Sequence, residues 1–402
     1  MSVDAIATPV ERKRQVLCKQ AIRHLYLKGA RTVAEIGNKL HISTPTTLSL
    51  LAELMAEGII TKRGRGESIG GRKPDLYGLR ERALYVLAID MGRYATQLAV
   101  FDCANHLQAP VRSLELDVST GLHTLDNLFA RASTLLQEAG VAANAWLGVG
   151  VSMTGLVSAK DGHNHTYFAG GAHLSLKDDL ARYFGKPVYV QNDVKSAALA
   201  EYRFGLAKDQ SNALVLSMDW GLGLGIIMDG KLRRGADGFA GEFGHIPLME
   251  YGLLCHCGKT GCLETVASGL ALSREALQGL RTGQRTLLRE QFAPNTNRIP
   301  LEAIVRAAVQ GDQFSIQLLA DSGRHLGKGI AILIQLLNPS RIVLTGEIAK
   351  ADQYITVPLQ QAINTHCMSQ LSQSVRIELS QLGNQARLLG AVATVIENVF
   401  DS

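Results

Sequence analysis

The sequence predicts a winged helix-turn-helix at the N-terminus, all-α with a small β-wing, joined to a two-lobed α/β body. Three observations predict it. Short helical periodicities fill the first 60 residues and run into a basic, glycine-rich stretch. From Ala83 onward, apolar strands alternate with helices. Charge divides at the same place: the first 80 residues hold 14 of the 41 Lys/Arg but only 7 of the 36 Asp/Glu, so the whole net charge of +5 originates there. A basic module on a near-neutral body is the electrostatic footprint of a nucleic-acid binder.

In the N-terminal module, Val16, Ala21, Ile22, Leu25 and Leu27 mark a first helix over 14–29 that ends at Gly29. Thr32 and Glu35 have capping-box spacing and open a short helix, Val33–Leu40. His41-Ile42-Ser43 makes a turn, and Ser43 or Thr44 caps the next helix, with Pro45 in its first turn, where a missing N–H costs nothing. Leu48, Leu51 and Leu54 are assigned to its core stripe, which leaves Thr44, Thr46, Thr47 and Ser49 to face base edges in a major groove. Gly58 ends the helix, and Ile59-Ile60 begins a strand.

The wing runs from Lys62-Arg63-Gly64-Arg65 to Gly70-Gly71-Arg72-Lys73-Pro74. Glycine permits close backbone approach, and arginine is favoured in narrow A·T-rich minor grooves, so Arg72 and Lys73 are expected to form a minor-groove hook. The module and its linker are assigned residues 1–82, with double-stranded DNA as partner.

The body opens with strands Tyr85–Ile89 and Thr96–Phe101, then helix Leu122–Ala139 and strand Trp146–Val151. Strand Val188–Gln191 ends at Asn192-Asp193 and is followed by helix Lys195–Tyr202. Strands Ala213–Met218 and Gly225–Met228 are expected to flank a glycine loop, Gly221–Gly225. The C-terminal part reads as helical, with one strand, Arg341–Leu344, and a last helix from Arg387. Acidic residues at strand ends place a site between the lobes of such a layered fold.

Composition narrows the class further. With 46% hydrophobic and 19% charged residues the chain is ordinary globular protein. No apolar run approaches the ~20 residues that span a bilayer, and no signal-peptide pattern opens the chain, so no membrane insertion and a cytoplasmic location are expected. Of six cysteines, Cys255, Cys257 and Cys262 fall within eight residues, a cluster that in a cytosolic protein points to metal before disulfide.

The residues now carry a resemblance. Gly241-Glu242-Phe243-Gly244-His245, Cys255-His256-Cys257-Gly258, Gly261-Cys262-Leu263-Glu264 and Asn192-Asp193 with Ala197-Ala198-Leu199-Ala200-Glu201 resemble the signature of the ROK family of repressors, open reading frames and sugar kinases. The likeness covers roughly 84–402, and the N-terminal module extends it to the repressor branch. It implies an actin-like ATPase fold of the sugar-kinase type, with one lobe at 83–205 plus 383–402 and the other at 206–382.

His245, Cys255, Cys257 and Cys262 form a closed three-sulfur, one-nitrogen set of the kind that binds structural zinc. The resemblance implies structural Zn²⁺ here, with His245 using one ring nitrogen for zinc and turning the other to a sugar. It implies sugar contacts at Asn192, Asp193, Glu242, His245 and Glu264. In the family's kinases the position of Asp193 is the general base, so here it is expected to be vestigial.

The phosphate loops depart from the kinase pattern. Asp90-Met91-Gly92-Arg93-Tyr94 stands where kinases carry Asp-x-Gly-Gly-Thr, Gly221-Leu222-Gly223 replaces Gly-Thr-Gly, and Gly346-Glu347 replaces a glycine pair. Phosphoryl transfer needs backbone close to phosphate, which Arg93, Tyr94 and Leu222 oppose and Glu347 opposes by charge. The run Phe168–His173 is glycine-rich where relatives carry a polar sugar contact, which fits either a different or bulkier ligand or a mobile loop.

These expectations describe a repressor of carbohydrate genes, answering to a sugar or sugar phosphate and working as a homodimer or homotetramer. A sugar-transport phosphotransferase protein is a further candidate partner. The alternative is an active sugar kinase bearing a DNA-binding arm.

Overall fold

The computed structural model describes residues 8–66, 73–115, 125–142, 145–167 and 176–400. The chain forms two compact units, Met1–Ser196 with Leu388–Ser402, and Ala197–Arg387.

The first unit begins with helix α1 (Pro9–Lys28), strand β1 (Arg31–Thr32), helices α2 (Val33–Leu40) and α3 (Thr44–Ala56), and strands β2 (Ile60–Arg65) and β3 (Asp75–Leu79). α1 starts five residues earlier than its apolar periodicity suggests. Thr8 and Glu11 form a capping box ahead of it, with Pro9 at the first position, and this signal outweighs the polar composition of the first turn. Thr32 and Glu35 form the expected box at α2, and Ser43 accepts the Thr46 N–H at the start of α3. α2 and α3 touch closely at Gly37, where a Cβ would lie 2.9 Å from Thr47 Oγ1, so only glycine fits without a shift. β3 lies between β1 and β2, antiparallel to both.

The core stripe of α3 is Thr47, Leu50, Leu51 and Leu54, not one built on Leu48, which is 47% exposed. Three-residue spacing from Leu48 and four-residue spacing from Leu50 both end on Leu54. The apolar pair Leu50-Leu51 decides between them, because it turns both its members inward and Leu48 out.

The same unit continues in a five-stranded sheet of β4 (Tyr85–Met91), β5 (Thr96–Asp102), β6 (Arg112–Leu114), β7 (Trp146–Met153) and β8 (Val188–Asn192), ordered β6-β5-β4-β7-β8. β4, β5 and β6 pair antiparallel, while β7 and β8 run parallel to β4. Leu87, Ile89, Leu98, Val100, Val149 and Val151 build the core with Leu128 and Leu135 of α4 (Leu125–Glu138) and Leu180 of α5 (Leu176–Phe184). The N-terminal module is fastened to this sheet: Tyr26 of α1 donates to Asn105 Oδ1 at 2.9 Å, Arg82 N–H donates to the buried Asp102 carboxylate, and the Cys103 thiol donates to Arg80 C=O. The chain then passes into the second unit inside α6 (Asp193–Phe204).

The second unit repeats the plan. Its sheet contains β9 (Ala213–Met218), β10 (Leu222–Met228), β11 (Lys231–Arg233), β12 (Arg341–Thr345) and β13 (Arg376–Leu379), ordered β11-β10-β9-β12-β13. The first three pair antiparallel and the last two run parallel to β9. Helices α7 (Glu264–Ala267), α8 (Gly269–Arg281), α9 (Leu301–Val309), α10 (Gln313–Leu337), α11 (Gln353–His366) and α12 (Ser369–Ser372) follow their strands, and α13 (Ala386–Val399) returns the chain to the first unit.

Two expectations for this unit need correction. The predicted glycine loop is mostly strand: Leu222 to Ile227 pair with Met218 to Ala213, which leaves only a tight turn at 219–221. The C-terminal part has a second strand, β13, whose pattern Arg-Ile-Glu-Leu is too short to stand out and which is held by its parallel register with β12.

Candidate metal centre, ligand residues and nucleic-acid interface

The candidate metal loop is built on β10. Gly241 has φ +93°, and a Cβ there would lie 1.9 Å from Leu224 C=O. Glycine thus presses the start of Glu242-Phe243-Gly244-His245 against the strand, and Phe243 is buried beneath it. Gly258 and Gly261 also have positive φ, and a Cβ on Gly261 would meet Met249 C=O at 1.9 Å. Cys255 N–H donates to Lys259 C=O at 2.8 Å, and Leu254 pairs with Thr260, closing a small hairpin.

This folding gathers the four predicted ligands. One donor atom from each of His245, Cys255, Cys257 and Cys262 lies within 4.8 Å of the others. His245 Nδ1 is 3.5 Å from Cys255 Sγ, and Cys257 Sγ is 3.6 Å from Cys262 Sγ. The edges of a tetrahedron around zinc, from its usual bond lengths, are about 3.6 Å for S···N and about 3.8 Å for S···S. The donor set therefore fits a zinc ion. Burial, then hydrogen bonding to Cys257 and Cys255, pushes the Cys262 thiol up to about 12, whereas the Cys257 thiol is shifted down.

Glu264 follows the last cysteine at the start of α7 and is buried. Its Oε2 accepts the Leu222 N–H at 3.1 Å, and its Oε1 is 3.3 Å from His256 Nδ1. The His256 ring stands edge-on to His245 with centroids 5.0 Å apart. His245, His256 and Glu264 thus form one polar cluster. Sequence reasoning gave no role to His256, although its place between two predicted ligands was the available signal. Glu242 is exposed and precedes the short helical turn carrying His245.

The other two ligand candidates belong to the first unit. Asn192 Oδ1 accepts N–H groups of Val194 and Lys195, both at 3.1 Å, so it caps α6, and its Nδ2 donates to Gly155 C=O at 3.0 Å. Asp193 Oδ1 accepts from Asn192 Nδ2 and Val194 N–H. Asp90 at the end of β4 is buried and accepts from Ser152 Oγ at 2.9 Å. Arg93 lies over the Tyr94 ring, 5.5 Å from its centroid. Leu222 turns a buried side chain inward and offers its N–H to Glu264. Gly346 must be glycine, since a Cβ would lie 2.4 Å from Met218 C=O, and Glu347 is paired with Lys350. That pairing reduces the charge argument made for Glu347. Of the run Phe168–His173, nothing lies within the described residues.

On α3 the structure separates the four hydroxyl residues. Thr44 is exposed, and Thr46 is half-buried with its hydroxyl 2.8 Å from Ser43 Oγ. Thr47 is fully buried and donates to Ser43 C=O at 3.0 Å, so it cannot face a groove; its place one turn before Leu50-Leu51 puts it in the core. Ser49 is exposed, and its Oγ accepts from Arg14 at 3.0 Å. Arg14 also pairs with Glu53, fixing α3 to α1. Lys73 is exposed, whereas Arg72 lies outside the described residues.

A family model described as the ROK family matches residues 86–398. The DNA-binding transcriptional dual regulator NagC of Escherichia coli K12 is 28% identical, over 90% of this chain and 87% of its own. The xylose repressor of Bacillus subtilis is 26% identical, over 92% and 91%. A crystal structure of a ROK family transcriptional regulator, described as a homologue of the E. coli MLC protein, superposes with a TM-score of 0.77 at 26% identity over 97% of both chains.

Proposed function

This chain belongs to the ROK family, and from that we propose that it is a sugar-responsive transcriptional repressor with a structural zinc loop. One observation carries the reading. Relatives named as transcriptional regulators align with both the N-terminal module and the body, over nine-tenths or more of this chain. We read α1 to β3 as a winged helix-turn-helix, with α3 in the major groove of double-stranded DNA and the β2–β3 hairpin, including Lys73 and Arg72, beside a minor groove.

The body is the sensor. Asn192, Asp193, Glu242, His245 and Glu264 are the side chains we assign as donors and acceptors for the hydroxyls of a sugar or sugar phosphate. Zinc at His245 and the three cysteines would hold His245 in place through Nδ1 and leave its other nitrogen for the ligand. The effector acts by preferring one of two states, and its differential affinity limits the size of the switch. A homodimer or homotetramer would present two α3 helices to half-sites spaced by whole helical turns.

The kinase alternative rests on Asp193, which keeps the base position. Arg93, Tyr94 and Leu222 stand against it. Purified protein incubated with ATP, Mg²⁺ and a panel of sugars should turn nothing over above background while it retards DNA from its own promoter region. Turnover of any sugar would replace this reading with that of an active kinase.

A further inference from the structure

We infer that Leu48 is a base-reading residue whose side chain contacts the 5-methyl group of a thymine. The inference rests on the proposed placement of α3 in a major groove, and on what that helix can offer there. From Thr44 to Ala56 it contains no Arg, Lys, Asn, Gln or His. Bidentate recognition of guanine uses Arg or Lys, and that of adenine uses Asn or Gln, so α3 has neither kind of reader. Its one charged group, Glu53, is paired with Arg14, and the exposed hydroxyl of Ser49 is engaged by the same arginine.

What remains on the exposed side is Thr44, Pro45, Leu48, Ala52, Met55 and Ala56, a mostly apolar surface. Its large members are Leu48, 47% exposed, and Met55, 39% exposed, although Leu50, Leu51 and Leu54 satisfy the core; Met55 stands in the last turn, whereas Leu48 stands in the N-terminal half, the part of a recognition helix that meets base edges. Thr44 and Leu48 are four residues apart and share one face of the helix. Thymine alone among the four bases presents an apolar group in the major groove, its 5-methyl. A recognition helix with methyls and one free-standing threonine, and no amide or cation, selects sites by thymine position. Leu48 is the large apolar side chain in the half of the helix that meets base edges.

The test uses the full chain. Duplexes bound by the wild-type protein are selected from a randomised pool, and each thymine of the selected site is replaced in turn by deoxyuridine, which removes the methyl and leaves every hydrogen-bonding group. At one thymine per half-site the wild type should lose roughly fourfold in affinity, the factor for one methyl removed from water. Leu48→Ala should bind the thymine and uracil duplexes equally, and about as weakly as the wild type binds uracil. If the wild type tolerates deoxyuridine at every position, or if Leu48→Ala keeps the same loss, Leu48 does not read thymine. If no sequence is enriched, the DNA-binding reading itself fails, a result distinct from the other two.

Discussion

Glu264 accepts the backbone N–H of Leu222 at 3.1 Å and so joins the second residue after Cys262 to the first residue of β10. A family kinase carries a threonine at the position of Leu222, in a loop that faces phosphate. Here that N–H is bound to a carboxylate of the polar cluster of His245, His256 and Glu264. Glu264→Ala should therefore have two effects: a buried N–H without an acceptor, costing about 1–3 kcal/mol, and loss of effector binding. Glu264→Gln keeps an oxygen for the N–H, and should retain stability while weakening the effector. Urea unfolding and calorimetric titration with sugars separate the two, and an unchanged unfolding midpoint in Glu264→Ala would show that the contact is not structural.

Cys257 is the exposed member of the candidate metal set, so its replacement disturbs packing least. Cys257→Ser should lose stoichiometric zinc and, with it, the effector response, because the loop also carries His245 and precedes Glu264. Metal analysis of the purified variant checks this, and full zinc content would remove Cys257 from the ligand set.

Thr47 and Thr44 offer a contrast on one helix. Thr47→Ala deletes a buried methyl and a hydrogen bond to Ser43 C=O, and should cost about 1–2 kcal/mol of stability. Thr44→Ala should leave stability unchanged and lower DNA affinity. Thermal unfolding and a gel shift on both variants distinguish a core residue from a contact.

Glu201 closes α6 against the second sheet's edge: it accepts from Leu206 N–H and from Ser380 Oγ. Burial raises its carboxyl above the usual range. A carboxyl raised in the folded state is a burden above its folded pKa, and the burden lifts as pH falls through that value toward the unfolded one. Glu201→Gln removes the charge, keeps an oxygen for the Leu206 N–H and turns its NH2 to Ser380 Oγ, which then accepts. It should equal the wild type near pH 4 and become the more stable protein as pH rises to 7, a trend that denaturant midpoints across that range would reveal or refute.

The parts of this molecule legible in its sequence are those with local chemical cause. Thr32 and Glu35 announce α2, and His245 with the three cysteines announces a metal loop, because caps and ligands act within a few residues. What was missed depends on partners distant in sequence. Leu222 to Gly225 looks like a loop until β9 pairs with it. β13 is four residues that only β12 stabilises. Leu48 and Thr47 exchange roles because the side of α3 that faces inward is chosen by α2, through Gly37, and not by α3's own spacing. The Glu264–Leu222 bond joins residues 42 apart and has no signature in either segment.

Binding of fluorescent promoter DNA by the full-length, zinc-loaded protein, titrated with individual sugars and sugar phosphates, tests the central claim most directly. Binding to DNA from the protein's own promoter region should be tight and salt-sensitive, released by one sugar or sugar phosphate and not released by it in Glu264→Ala or Cys257→Ser. Binding that no sugar alters, or an equal response in the Glu264 and Cys257 variants, would contradict that claim.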